Sequence, residues 1–330
     1  MADVVRERGQ LFLVGAFALA VLFVALAVLL NAAIFTENLS TQGAEPSPGD
    51  AIEYHEAAVD AGERTLTSVN YANNSSQGTL DTALRRGVDE WGLAAATHRA
   101  SQGHAASVSV DATTNGTRLT QDVERNFTNE SGSGPDWTVA EKVHVRNFTM
   151  NVSQSSLSGG SPLPDILGYR TSDYLRVEFD NGSANWTAYI YSDSGDVSVE
   201  VVGASNSHPP SSCPLADPGP DGHVVIDFTD GRVGDQSCPG LDFFDYANDT
   251  YTIRIERALD SGSPTGTGTY SLVVDETPGS LASTSEFESA GSGQPFYTPA
   301  VYSMTLNVTY RAPDTDYEAR VRIAPGEPDA

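Results

Sequence analysis

Twelve of the fifteen asparagines sit in Asn-x-Ser/Thr triplets: Asn38, Asn73, Asn74, Asn115, Asn126, Asn129, Asn147, Asn151, Asn181, Asn185, Asn248 and Asn307. That triplet is the acceptor for N-linked glycosylation, which puts a bulky, solubilising sugar on a surface loop. With Ser and Thr near one residue in five, chance would supply about three such triplets. A Ser/Thr-rich surface making them by accident does not account for the excess. The chain is therefore expected to be a glycoprotein, with several of these positions modified. The second constellation is the pair Cys213 and Cys238, in one loop-rich stretch. Outside a reducing compartment a lone pair means a disulfide. A zinc site would need further ligands; His208 and His223 are near, but at irregular spacing. The third is a run of carboxylates around the cysteines, Asp217, Asp221, Asp227, Asp230, Asp235, Asp242 and Asp245. Hard oxygen ligands of this kind can hold calcium. No run matches the helix–loop–helix calcium loop, however, and surface carboxylates for salt tolerance are the preferred reading.

Chemistry of the catalytic kind is not legible. The sequence contains no Gly-x-Ser-x-Gly elbow, no His-Glu-x-x-His helix, no phosphate loop and no dinucleotide fingerprint. The six histidines, His55, His98, His104, His144, His208 and His223, are scattered and none falls in a motif. A glycosidase needs only two converging carboxyls, but the pattern singles out no pair among 44 acidic residues. The expectation is a protein that is not an enzyme, with no cofactor and no metal.

The elements that would carry these residues begin with Leu11–Leu30, LFLVGAFALAVLFVALAVLL, twenty residues without a charge. At 1.5 Å per residue such a helix spans about 30 Å, a bilayer core. Arg6 and Arg8 precede it and Glu37 is the first charge after it. The positive-inside rule then expects a single-pass cell-membrane protein, with its N-terminus cytoplasmic and its C-terminal body extracellular. A cleaved signal peptide would have a shorter apolar region. The helical pattern runs on past Phe35 toward Leu39.

Arg8-Gly9-Gln10-Leu11, directly before that run, is similar to the processing site of archaeal type IV pilin-like proteins. The resemblance implies cleavage between Gly9 and Gln10, with the apolar helix kept on the mature chain. The longer string RGQLFLVGAFALAVLFVALAVLLNAAIFTENLSTQ, residues 8–42, also resembles haloarchaeal surface proteins of unassigned function. A fainter likeness extends to the C-terminal strands. Many pilins carry Glu at the fifth mature position, where this chain has Val14. That departure speaks against a major, filament-forming subunit.

Charge points the same way. There are 44 acidic against 18 basic residues, a net charge of −26, and Lys142 stands alone beside 17 arginines. This balance resembles the proteins of extreme halophiles. Self-repulsion of that size strains a fold in dilute buffer, whereas in molar salt the Debye length falls to about 3 Å and the strain is screened. Nucleic acid is excluded as a partner, because binding it requires basic patches.

The body is expected to start with helices. Ser47-Pro48 and Asp50 form a helix start, and Ile52, Val59, Gly62, Leu66 and Val69 follow at helical spacing. A second helix from about Thr79 carries Leu80, Leu84, Val88, Trp91 and Ala95 on one stripe. From about Ser107 the period changes to two. Leu175, Val177 and Phe179 lead into Asp180-Asn181-Gly182, a hairpin turn with Trp186–Tyr191 returning. In the last hairpin Tyr302, Met304, Leu306, Val308 and Tyr310 form one face, and Tyr317, Ala319, Val321 and Ile323 return on it. The expected fold class is α+β. It comprises a cytoplasmic head (1–10), a transmembrane helix with its extension (11–42), a helical stalk or hairpin (47–104), and an antiparallel β-rich extracellular domain (105–330). That domain would be a sandwich or a pilin-like meander. The functional expectation is a structural, adhesive or pilus-assembly role. The alternative is a binding module for a glycan, an ion or an envelope partner. Its expected partners are the lipid bilayer, other pilin-like or envelope proteins, and further copies of itself.

Overall fold

The computed structural model describes residues 48–72, 75–160, 162, 174–203, 211–245, 250–260 and 262–327. Two helices come first, α1 (Pro48–Ala72) and α2 (Gln77–Ser101). The strands follow: β1 (Ala105–Asn126), β2 (Trp137–Val143), β3 (Val145–Ser153), β4 (Leu175–Asp180), β5 (Asn185–Asp193), β6 (Asp196–Gly203), β7 (Ser211–Ser212) and β8 (His223–Asp227). The chain continues through β9 (Arg232–Val233), β10 (Gln236–Ser237), β11 (Tyr251–Glu256), β12 (Leu259–Asp260), β13 (Ser263–Pro264), β14 (Thr267–Val274), β15 (Phe296–Ala312) and β16 (Thr315–Ile323). These strands pair antiparallel into a long sheet, β10-β9-β8-β3-β14-β1-β15-β16, and a short sheet, β2-β11-β4-β5-β6-β7, with β12-β13 as a separate ribbon.

Two cores share the long sheet. One half of it faces the short sheet, and Leu119, Phe148, Met150, Tyr270 and Leu272 pack there against Val139, Val177, Ile190, Val199 and Ile253. The other half is covered by α1 and α2, where Tyr54, Leu66, Leu80, Leu84 and Val88 meet Val108, Met304, Leu306, Val308 and Tyr310. Strands β1 and β15, of 22 and 17 residues, run through both halves. Their register breaks between Thr114 and Asn115, where Ser303 and Val301 are the successive partners and Tyr302 is extra. An extra residue reverses which face later side chains take. Tyr302 therefore leaves the face of Met304 and joins Val273 and Ala300 on the opposite side, while Val301 joins the helix-side core. The simple alternation read from the sequence, with Tyr302 on the same face as Met304, is corrected by this bulge.

The bulge is held from both sides. Asn70 on α1 behaves as a substitute strand partner: its Nδ2 donates to the Val301 carbonyl at 2.9 Å and its Oδ1 accepts from the Val301 amide at 2.8 Å. Gln77, at the start of α2, donates to the carbonyls of Gly116 and Ala300. From below, the buried Arg146 donates to the carbonyls of Tyr302 (2.6 Å), Val301 (2.9 Å) and Pro325 (3.0 Å). Burial lowers its affinity for the proton, bringing its pKa to about 10.

The expected fold class is therefore corrected. Among the described residues the protein is mostly β with two helices, and those helices are a docked layer of the body instead of a stalk. The reason is their amphipathicity. Each has one buried stripe, Ala51, Tyr54, Ala58, Leu66 and Val69 on α1, and Leu80, Leu84, Val88 and Gly92 on α2. Ile52, expected on the α1 stripe, is exposed. Contact is close at two glycines: a Cβ on Gly62 would lie 2.6 Å from Ile323 Cδ1, and one on Gly92 2.9 Å from Val108 Cγ1. The single-pass localisation is corrected as well. Among the described residues no helix is long and apolar enough to cross a membrane. The run 11–30 on which that reading rested, like Gly9 and Gln10, lies outside them.

Candidate functional site

The two cysteines meet. Cys213 and Cys238 form a disulfide with a Cα–Cα distance of 4.8 Å. Cys213 follows β7 of the short sheet and Cys238 follows β10 of the long one, so the bond ties the two sheets together at one end of their shared core. The carboxylates around it do not converge. Asp217 and Asp221 accept from the amides of Gly219 and His223. Asp227 accepts from the Thr229 amide, the Thr229 hydroxyl and the Asp230 amide. They cap turns, each in its own place. Among the described residues no group of three or more His, Cys, Asp or Glu is placed to hold a metal ion.

The acceptor triplets fall in several settings. Asn38, Asn73, Asn74 and Asn248 lie outside the described residues. Asn115 is exposed on β1 opposite the β15 bulge, and Asn126 and Asn151 are half-buried. Asn129 donates to Glu286, Asn185 to Glu178 and Asn307 to Asp111. Asn181 uses its oxygen to accept from the amides of Ser183 and Ala184 in the β4–β5 turn. The Asn147 carboxamide is tucked under the C-terminal turn, donating to the Pro325 carbonyl, with its oxygen only 1.9 Å from where a Cβ on Gly326 would stand.

Two carboxyls do come together, on the outer face of the short sheet. Glu178 on β4 and Glu256 on β11 are close enough to influence each other's charge. Burial first, then the neighbouring carboxylate, holds Glu256 above the usual range, against the pull of Arg176 and Arg254.

A cleft of about 480 Å³ opens at the rim of the two-sheet core, lined by Glu130, Ser285, Phe287, Glu288, Ser289 and Tyr297. Three elements build it. The loop after β1 is tied down by the Glu130 amide to the Glu286 carbonyl (2.9 Å). A short 3-10 turn, Ala282–Glu286, leads into the buried Phe287. The first residues of β15 supply Tyr297. Phe287 stands edge-on to Tyr297 (centroids 6.5 Å, 86°) and to Trp137 (5.5 Å, 70°). Trp137 is fixed in turn by its Nε1 bond to the Phe127 carbonyl at 2.9 Å. The result is an aromatic floor anchored in the core, with carboxylates and hydroxyls around it. Residue-by-residue reading missed this site. Its one sequence signal was the run Ser283–Gly293, STSEFESAGSG, which carries Phe287 between two strands and is followed by Phe296 and Tyr297.

Residues 5–133 match a family described as a family of unknown function (DUF7261). Among the described residues that stretch takes in α1, α2 and β1, the helical layer with the strand beneath it. No curated protein and no solved structure matches the chain.

Proposed function

We propose that the protein works by binding and not by catalysis, as an adhesive module whose rim cleft takes a neutral glycan. The observation that carries this is the pairing of an anchored aromatic floor, Phe287 and Tyr297, with Glu130, Glu288, Ser285 and Ser289 around it. A pyranose has an apolar C–H face that lies on an aromatic ring and a rim of hydroxyls that donate to carboxylates. The cleft's volume is within the range of small-molecule sites. The chain's net charge of −26 disfavours an anionic ligand. An adhesive subunit is also the role in which this cleft fits the pilin-like head sequence, Arg8-Gly9-Gln10-Leu11.

The test is a titration of the full chain in molar salt with oligosaccharides of glucose, mannose, galactose and N-acetylglucosamine. Intrinsic tryptophan fluorescence, to which Trp137 beside Phe287 contributes, and calorimetry are the readouts. At least one series should bind, and Tyr297→Ala should weaken it about tenfold or more, the loss expected for an aromatic contact. No binding across the panel, or binding indifferent to Tyr297→Ala and Glu288→Gln, would reject the proposal.

A further inference from the structure

The long sheet ends on β16, which pairs with β15 on one side. The two-residue turn Pro313-Asp314 closes on Ala312 and Thr315. A turn of that length makes its closing residues a hydrogen-bonded pair, and alternation fixes the rest. Residues 317, 319, 321 and 323 direct their backbone groups to β15, and residues 316, 318, 320 and 322 direct theirs to the free edge. The side chains of those edge residues, Asp316, Glu318, Arg320 and Arg322, are exposed, on the face opposite the helices. Tyr317 and Val321 lean the other way, against the helix-side core.

We propose that β16 is the seam of a symmetric homodimer, in which two copies pair antiparallel and join their long sheets. The order of charges along the edge, minus, minus, plus, plus, is self-complementary. Centred on Ala319, the pairing sets Asp316 opposite the second copy's Arg322 and Glu318 opposite its Arg320, so the two-fold axis gives four ion pairs. The same register matches free backbone groups with free backbone groups and brings the small Ala319 against its own copy. Tyr317 falls opposite Val321 and continues the apolar layer. Shifting the centre to 318 or 320 places Glu318 or Arg320 opposite itself, and shifting it to 317 or 321 opposes Asp316 to Glu318 or Arg320 to Arg322. Charge thus selects one register among its neighbours. Exposed edges are more often guarded by charges that repel a second strand; here the pattern invites one.

The side chains are already set for this. Arg311 bonds Asp316 at 3.1 Å, Arg320 bonds Asp111, and Arg322 bonds Glu327, which holds both guanidinium groups along the outer face with further donors to offer. Glu318 makes no ion pair among the described residues.

The experiment is sedimentation equilibrium of the full chain in 2 M NaCl. Wild type should show a reversible monomer–dimer equilibrium. Glu318→Arg breaks no ion pair within the chain, and it should raise the dissociation constant about tenfold or more. Arg320→Glu should do the same, and an equimolar mixture of the two variants should recover wild-type association. Arg320→Pro removes an edge-facing amide and keeps the β15 ladder, so it should also dissociate the dimer while circular dichroism stays native. A wild type that remains monomeric at hundreds of micromolar would overturn the proposal. So would a dimer that tolerates all three variants, or a mixture that fails to re-associate.

Discussion

Opening the Cys213–Cys238 bond should destabilise the protein by an amount that can be worked out in advance. The two cysteines are 25 residues apart. On the chain-entropy relation, a loop of that length costs the unfolded chain about 12 cal/mol/K, or about 3.5 kcal/mol at 25 °C. Both sulfurs are buried in the two-sheet core, so Cys→Ala adds a small packing loss to that figure. Taken over residues 48–327, with about 2.1 cal/mol/K of unfolding entropy per residue, the entropic part lowers Tm by about 6 °C. The assay is calorimetry in 3 M NaCl on the oxidised chain, the reduced chain, and Cys213→Ala, Cys238→Ala and the double variant. Because the bond is one unit, each single variant should cost nearly as much as the double. Hydrogen exchange should show β7, β9 and β10 losing protection first, since these short strands at the ends of the two sheets are what the bond pins. A reduced protein that melts within about 1 °C of the oxidised one would refute the reasoning.

Gly62→Val should cost about 1–3 kcal/mol by forcing α1 away from Ile323 and Met304, whereas Gly78→Ala, with open space around it, should stabilise α2 slightly; thermal melts of the two variants check this. Stability should depend on pH in opposite senses at two sets of carboxyls. Glu200, Asp227 and Glu256 are held above the usual range chiefly by burial. Their contribution is fully present below the unfolded value and lost as pH rises through the folded one. Burial raises Glu327, but the bonds it accepts from Arg322 and Tyr302 outweigh that and lower it overall. Its contribution is lost as pH falls through that lowered value. Melts at constant molar salt should therefore improve on mild acidification from pH 7 and worsen below about pH 4, near the unfolded carboxyl values; a steady decline from pH 7 downward would contradict both assignments. Lowering salt below about 1 M should unfold the chain through self-repulsion of its −26 net charge; an unchanged far-ultraviolet dichroism spectrum in dilute buffer would count against it.

Local chemistry was legible where the physical cause was itself local. A repeating apolar stripe, Leu80, Leu84 and Val88, marks α2, and Asp180-Asn181-Gly182 turns β4 into β5, because each depends on a few neighbouring residues. The cysteines could be paired because there were only two. What the sequence could not carry is anything decided by residues far apart in the chain. One extra residue at Tyr302 reversed the faces of β15, and a bulge leaves no mark in an alternating pattern. Whether α1 and α2 stand away from the sheet or lie on it depends on the missing Cβ atoms of Gly62 and Gly92 and on Asn70 reaching Val301, contacts that span more than two hundred residues at the last pair. The rim cleft joins Glu130 to Phe287 and Tyr297 only because β1, β2 and β15 bring their ends together. Composition, charge and short-range pattern set the material of this protein; tertiary packing alone set which faces it presents.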